Sequence, residues 1–215
     1  MIEDRFPWQE ERELGAFPSL SKGIDSNVYR LGEWVAKEYQ HLSIGEVQRY
    51  ARFQNRARDV LARKPYKTSI TFKGAATELV AERAVPVSWV GLSASGKPLT
   101  YSRFVEATNL EKLLWRPEKF EAYKKAEMTD SGLCSFASEM NAFFWNEYPT
   151  RVQDEFHYHV CMLSRRLDSE LGTSGLYISK YNVKLEPDLA RGRINLIVTD
   201  LALYIERVEF PAESS

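Results

Sequence analysis

The chain has 215 residues, of which 44% are hydrophobic and 13% aromatic, and 29 basic residues nearly balance 30 acidic ones. This composition suffices for a buried core and excludes a disordered chain, while a formal net charge of -1 provides no overall basic field for nucleic acid. The acidic first fifteen residues lack the apolar core of a signal peptide, and no run of about 18 uncharged apolar residues occurs. We predict a soluble, cytoplasmic protein with no membrane span and no nucleic-acid partner.

The cysteines and histidines argue against metal or disulfide chemistry. Cys134 and Cys161 lack the C-x-x-C spacing of a zinc site or redox pair, and they fit a reducing compartment. We interpret both as small apolar core residues. His157 and His159 fall in a predicted helix, where side chains two residues apart point about 200° away from each other. These two histidines are therefore not expected to share a metal ion.

The first half of the chain predicts strands around one helix. Two or three short strands are expected over residues 19–39, with a tight turn at Gly32–Glu33. A capping box of Ser43 and Glu46 then begins a helix, because apolar residues recur at helical spacing over residues 43–64. Further strands are predicted in the segments TSITFKG, ELVAERAVPVSWV and PLTYSRFVEA. Together these elements predict a mainly antiparallel lobe of five strands and one helix.

From Thr108 onward the pattern changes to helices. A second capping box opens the segment TNLEKLL, and amphipathic helices are predicted in LCSFASEMNAFFWNEY and VQDEFHYHVCMLSRRLDSEL. A hairpin with Asn182 and Asp200 at its two ends follows them. We predict an α+β fold with three parts: a loose N-terminus over 1–14, a β-rich N-lobe with one helix over 15–107, and a helical C-lobe with the hairpin over 108–210.

Four short motifs occur in a fixed order along the chain. They are a glycine-bearing turn in GIDSNVY, a strand with one lysine in WVAKEY, an asparagine that opens a strand in YNVKL, and an aspartate that closes one in LIVTDLA. Phosphoryl chemistry uses these residue types, because lysine supplies positive charge for phosphate oxygens while asparagine and aspartate supply oxygen ligands for Mg²⁺. Lys37, Asn182 and Asp200 are therefore candidate residues of a nucleotide and metal site.

In this order the motifs resemble those of the protein-kinase-like superfamily, which includes aminoglycoside phosphotransferases and small atypical kinases. The VAK sequence that ends at Lys37 is similar to the V-A-I-K strand, Asn182 to the catalytic-loop asparagine and Asp200 to the aspartate of D-F-G. The resemblance implies a bilobal fold with an antiparallel β N-lobe, a reduced helical C-lobe, and ATP with Mg²⁺ as cofactors. It further implies that Lys37 contacts the phosphates, that Glu46 orients Lys37, and that Asn182 and Asp200 ligate the metal.

The same resemblance assigns residues that would surround the nucleotide. The turn at Gly23 would cover the phosphates, and the backbone of residues 105–107 would meet the adenine base. The nucleotide-contacting residues that the resemblance implies are Gly23, Ser26, Val28, Lys37, Val105 and Ala107.

The chain also departs from the kinase pattern. Tyr177 occupies the position of the catalytic aspartate, and a tyrosine with an ordinary pKa of about 10 would be protonated and could only donate or relay a proton. Among the three glycine positions of the phosphate loop only Gly23 matches, because Ser21 and Ser26 occupy the other two. No A-P-E motif or large helical subdomain follows Asp200, so a conventional protein kinase is not expected.

Several interpretations stay open at this point. The chain is expected to be an ATP- and Mg²⁺-binding, slow or atypical phosphotransferase with an unknown acceptor. Alternatively, it is a pseudokinase that binds a partner protein without catalysis, or an α+β domain with an accidental resemblance. Each of these residues also has an ordinary structural explanation. Lys37 would be a solvent-facing strand lysine and Glu46 a helix cap. Asn182 and Asp200 would occupy turn or strand-end positions, and Tyr177 would be a packed aromatic residue.

Overall fold

The computed structural model describes residues 19–22, 26–145, 149–173 and 175–201. Within these residues the predicted α+β class is confirmed, because ten strands form two five-stranded sheets and five α-helices accompany them. The described residues contain no helix that is both long and apolar enough to cross a membrane. The predicted loose N-terminus and Gly23 lie outside the described residues.

The elements follow one another along the chain in a mixed order. The strands are β1 (Ser19–Lys22), β2 (Ser26–Leu31), β3 (Trp34–Tyr39), β4 (Tyr66–Phe72), β5 (Ala75–Ala84), β6 (Val87–Leu92), β7 (Pro98–Arg103), β8 (Thr108–Asn109), β9 (Val183–Asp188) and β10 (Arg193–Val198). The helices are α1 (Ile44–Arg63), α2 (Leu110–Leu113), α3 (Pro117–Glu127), α4 (Ser131–Phe144) and α5 (Pro149–Leu171), and a short 3₁₀ helix covers Lys180–Asn182.

The chain divides into two compact units. The first contains the described residues up to Arg56 together with Val85–Glu106, and the second contains Ala57–Ala84 together with the described residues from Ala107 onward. The chain passes from the first unit to the second after Arg56 and again after Glu106. The predicted N-lobe over 15–107 therefore includes residues 57–84 of the second unit.

The first unit contains an antiparallel sheet with the strand order β1-β2-β3-β7-β6. The predicted turn at Gly32–Glu33 joins β2 to β3, and Gly32 has a φ of +63°, which glycine adopts without steric cost. Leu31, Ala36, Leu99 and Tyr101 form the buried core of this sheet, and three aromatic residues pack against it. Local hairpin chemistry accounts for the pairs β1–β2, β2–β3 and β6–β7, whereas the pairing of β3 with β7 joins distant parts of the chain.

The α1 helix begins at the predicted capping box. The backbone N–H and the hydroxyl of Ser43 both donate to the carboxylate of Glu46, each at 2.7 Å, and the Glu46 N–H donates to the Ser43 hydroxyl oxygen at 3.3 Å. These bonds satisfy N–H groups that have no partner inside the helix. The buried face of α1 carries apolar residues at helical spacing, as predicted: Val47, Ala51, Ala57, Val60 and Leu61.

The second unit contains a mixed sheet with the strand order β4-β5-β10-β9-β8. The β10 strand lies at its centre, parallel to β5 and antiparallel to β9. All residues from Ile194 to Val198 are buried, as are Leu79, Val80 and Ala81 of β5, which is typical of strands covered on both faces. The sequence pattern predicts β4 and β5 as strands within the N-lobe over 15–107, but a strand pattern does not identify the pairing partner.

The helices of the second unit bury aromatic side chains. The predicted helices correspond to α4 and α5, and the rings of Phe144 and Phe156 meet edge to face with their centroids 4.7 Å apart. The α3 helix was not predicted, since Phe120 is its only buried residue and its other positions are mostly charged. The α5 helix ends before Gly172, whose φ of +67° is the left-handed conformation that commonly terminates helices.

Candidate functional site

The hairpin of β9 and β10 brings the two predicted metal ligands to one end of the second sheet. Val183 pairs with Val198, and the Thr199 N–H donates to the carbonyl oxygen of Asn182 at 2.8 Å. Asn182 therefore lies beside residue 199, and Asp200 follows directly in the chain. Asn182 does not open the strand itself, because it is the last residue of the 3₁₀ helix and β9 begins at Val183. Both predicted ligands are partly buried.

The segment that carries Tyr177 is tied to the α5 helix. The carboxylate of Asp168 accepts hydrogen bonds from the Leu176 N–H at 2.8 Å and the Gly175 N–H at 3.2 Å. The Ile178 N–H donates to the hydroxyl of buried Ser164 at 3.0 Å. These contacts hold the backbone on both sides of Tyr177.

Tyr177 points away from the core. Leu176 and Ile178 are buried, whereas the side chain between them is 39% exposed. The interpretation of Tyr177 as a packed aromatic is therefore wrong, since the alternation of the segment leaves its ring partly in solvent. Tyr181, four residues later, is 60% exposed.

Lys37 lies on β3 in the first unit and is partly buried among aromatic rings. Its ammonium nitrogen is 5.1 Å from the ring centroid of Tyr39 and 5.6 Å from that of Tyr50, which are distances for cation–π attraction. In the sheet register Lys37 is directly opposite Val28 on β2 and Thr100 on β7. Directly opposed residues share one face of a sheet, so Val28, a predicted nucleotide contact, shares a face with Lys37.

Glu46 is engaged by its own helix cap. The hydrogen bonds from the side chain and the backbone of Ser43, assisted by the charge of Arg49, lower the pKa of the Glu46 carboxyl below its ordinary value. This role accounts for a glutamate at the position without invoking Lys37. The predicted orientation of Lys37 by Glu46 stays a prediction.

The remaining predicted nucleotide contacts have mixed surroundings. Ser26 begins β2, is buried and pairs in register with Tyr39. Val105 and Ala107 are partly buried in the short segment between β7 and β8. The Phe104 N–H donates to the Glu33 carbonyl at 2.8 Å, which fixes the start of this segment within the first unit.

The described residues include no group of three or more histidine, cysteine, aspartate or glutamate side chains that could hold a metal ion. An asparagine and an aspartate at one end of a hairpin still suit Mg²⁺, because this ion is commonly held by one or two protein oxygens together with phosphates and water. The donor set therefore fits magnesium with a phosphate ligand better than a closed protein cage.

The two histidines predicted not to share a metal ion have different environments. His159 is buried, and its Nδ1 lies 3.1 Å from the hydroxyl of Tyr66 on β4. Burial lowers the pKa of His159, and the nearby Glu155 carboxylate only partly opposes this. His157 is exposed on the other side of α5, so the two rings do not converge.

Sequence reasoning missed Asp168 and Ser164, which position the Tyr177 segment. Ser164 gives one signal that was available, because it falls on the apolar face of a predicted helix, where a polar residue needs a partner. Asp168 gives a weaker signal, since it precedes the helix-ending Gly172 by one turn and aspartate commonly bonds to nearby backbone N–H groups.

Comparisons of the chain with protein-family models, with curated proteins and with solved structures give no match. The kinase-like interpretation therefore depends on the residues and their local settings. Two structural observations are relevant to the kinase-like interpretation. Lys37 lies on the third strand and shares a sheet face with Val28. The hairpin places Asn182 beside the residue before Asp200.

Proposed function

We propose that the protein binds ATP with Mg²⁺ and acts as a slow or atypical phosphotransferase toward an unknown acceptor. The observation that carries the proposal is the backbone hydrogen bond from Thr199 to Asn182, which holds the backbone of Asn182 beside the residue that precedes Asp200. In this proposal Asn182 and Asp200 supply oxygen ligands to the magnesium ion that accompanies the phosphates. The central strand β10 leads directly to Asp200, and its buried residues restrict movement of the backbone there.

The position of Lys37 supports a phosphate role. Protein kinases carry their phosphate-binding lysine on the third strand of an antiparallel sheet, and Lys37 lies on β3. Its partial burial beside Tyr39 and Tyr50 restricts the side chain, which lowers the entropy that it loses when a phosphate binds. Glu46 would strengthen this role if its carboxylate also approached Lys37.

Tyr177 limits the chemistry that the site would perform. Tyrosine stands where kinases carry the carboxylate that accepts the proton of an attacking hydroxyl, so the proposed transfer lacks that base. Phosphoryl transfer depends mainly on positioning and on neutralising charge, and a loss of the base slows the reaction without removing its other contributions. We therefore expect slow, magnesium-dependent turnover.

Thermal unfolding in the presence of ATP and MgCl₂ tests the proposal. ATP at about a hundred times its dissociation constant would stabilise the native state by about 2.7 kcal/mol. Lys37→Ala and Asp200→Asn should each remove most of the ATP-dependent rise in Tm. Because the two residues belong to different compact units, each substitution tests its own unit.

Matched controls are available for both substitutions. Lys67→Ala removes an exposed strand lysine that pairs with Glu78, and Asp59→Asn removes an exposed helix aspartate that pairs with Arg58. Both controls should keep the ATP response. A Tm that does not move with ATP or GTP, with or without magnesium, would contradict the proposed nucleotide site.

A pseudokinase is the second candidate, and the exposure of Tyr177 favours it. A pseudokinase would retain nucleotide binding, or only the fold, and use its surface to bind a partner protein. Partly exposed Tyr177 and exposed Tyr181 offer two aromatic rings of the kind enriched at interfaces. Release of phosphate from ATP separates the two candidates: turnover that Asp200→Asn abolishes indicates an enzyme, whereas binding without Asp200-dependent turnover indicates a pseudokinase.

A further inference from the structure

The outer face of α5 carries a shallow groove of about 350 Å³ that the proposed nucleotide function does not use. Its described lining comes from one stripe of the helix at spacings of three and four residues: Asp154, His157, Tyr158, Cys161, Met162 and Arg165. The lining is mainly apolar, with a thiol and an imidazole side by side within it. The groove therefore places a thiol beside an imidazole in a space of small-molecule size.

Cys161 and His157 form a thiol–imidazole pair one helical turn apart. The Cys161 sulfur lies 3.6 Å from Nε2 of His157, which is within hydrogen-bond reach for sulfur. In the tautomer with an unprotonated Nε2, the imidazole accepts the thiol proton as the sulfur attacks an electrophile. Arg165 and Asp154 give the groove opposite charges, but Arg165 lies one helical turn from Cys161 and Asp154 lies two turns away, so the positive charge is the nearer to the sulfur and favours anionic reagents.

Cys134 offers a natural comparison within the same chain. Both cysteines are only partly buried, so the interpretation of both as core residues is wrong. The two sulfurs have different neighbours. The Cys134 sulfur faces the carbonyl oxygen of Met128 at 3.8 Å in a partly buried contact, and an amide carbonyl does not take up a thiol proton near neutral pH. The contact between Cys161 and His157 is exposed.

We propose that Cys161 is a modification site for small anionic disulfides. Nε2 of His157 takes the thiol proton while the Cys161 sulfur attacks one sulfur of the reagent disulfide. The reagent S–S bond breaks as the new mixed disulfide forms, and the leaving thiolate receives the proton. Cys161 is thereby oxidised to a mixed disulfide, and half of the reagent is reduced to a free thiol.

The kinetics of thiol modification by 5,5′-dithiobis(2-nitrobenzoate), an anionic disulfide, test this proposal. The native protein should show a fast and a slow phase of equal amplitude that differ at least tenfold in rate. The fast phase should persist in Cys134→Ser and disappear in Cys161→Ser, and mass spectrometry after glutathione disulfide treatment should find the adduct on Cys161. Equal rates for the two thiols would overturn the proposal.

Two further variants separate the roles of the neighbours. His157→Gln should slow the fast phase by about tenfold or more, because it removes the proton acceptor. Arg165→Gln should slow the reaction with the anionic reagent but leave that with neutral 2,2′-dipyridyl disulfide unchanged. Both residues are exposed, so circular dichroism and Tm should match those of the native protein. A fast phase that His157→Gln leaves unchanged also refutes the pair, and no outcome depends on nucleotide binding.

Discussion

The two sheets of the protein are assembled in different ways. In the first, each of the pairs β1–β2, β2–β3 and β6–β7 joins consecutive strands, and every pairing is antiparallel. In the second, central β10 lies between its hairpin partner β9 and β5, a strand from a distant part of the chain. Local signals therefore specify three of the four pairings in the first sheet, but its β3–β7 pairing joins distant strands. The β5–β10 and β8–β9 pairings of the second sheet likewise require contacts that no short stretch of sequence specifies.

Both units bury large aromatic rings. The first buries Tyr39, Phe53 and Tyr101, and the second buries Phe144 and Phe156 among others. Buried rings contribute a large apolar area to the stability of each unit.

The largest expected effect comes from the aromatic core. Phe156→Ala should lower the free energy of unfolding by about 3–5 kcal/mol, because it leaves a cavity beside Phe144. Urea denaturation measures the loss, and hydrogen exchange should rise more in β9 and β10 than in β2 and β3. Leu99→Ala, with an expected loss of about 2–5 kcal/mol, is the matched variant in the first unit and should show the opposite order. Equal increases in hydrogen exchange in both sheets, for both variants, would contradict this expected difference between the two sheets.

A smaller effect is expected from the ion pairs that hold β10 in register. Arg193 donates to Asp188 on β9 at 3.0 Å and to Glu82 on β5 at 2.6 Å, and only 9% of its side chain is exposed. Partial burial opposes ionisation of Asp188, but the hydrogen bond from Arg193 and the charges of Arg193 and Arg191 outweigh it and lower the Asp188 pKa. Arg193→Met should therefore remove the cation beside Glu82, leave Asp188 with Arg191 as its counterion, and lower the urea midpoint at pH 7.

The pH dependence of this effect has a defined sign. Because the folded state lowers the Asp188 pKa, its contribution is present above the ordinary pKa of 3.8 and is lost as the pH falls through the lower folded value. The difference between the native protein and Arg193→Met should thus be greatest near neutral pH and shrink below about pH 4. A difference that stays constant from pH 7 down to about pH 2 would argue that Arg193 acts by packing alone.

The smallest effect concerns the local signal that begins α1. Ser43→Ala should cost about 1 kcal/mol, because the helix loses its capping side chain. Glu46→Gln should leave stability nearly unchanged, since glutamine also serves in a capping box. If Glu46 also orients Lys37, Glu46→Gln should weaken the ATP-dependent rise in Tm, whereas Ser43→Ala should not. Equal ATP responses in both variants would limit Glu46 to its structural role.

These contrasts explain how much of the fold the sequence specifies. The turn at Gly32, the cap at Ser43 and the hairpin after Asn182 were predictable, because each depends on residues close together in the chain. The partner of β5 was not predictable, because a buried apolar run identifies a strand but not its neighbour. The α3 helix was missed because it buries little besides Phe120.

The candidate site was predictable only in part. The types and spacing of Asn182 and Asp200 indicated a pair at one hairpin end, and the backbone has that arrangement. The outward direction of Tyr177 depends on Asp168 and Ser164, which lie on a helix several residues earlier, so no pattern around Tyr177 specified it. The sequence did not decide the role of Glu46, because a glutamate at this position fits both a cap of its own helix and a partner of Lys37.

The parallel pairing of β5 with β10 has a consequence for synthesis on the ribosome. Leu79 is synthesised about 115 residues before its pairing partner Ile194. At about 5–20 residues per second, the nascent chain therefore contains β5 without β10 for roughly 6–23 seconds. Throughout that interval one side of β5 has no β10 to pair with, and an unsatisfied strand edge invites association with other chains. A chaperone that shields residues 75–84 during elongation would therefore raise the yield of correctly folded molecules.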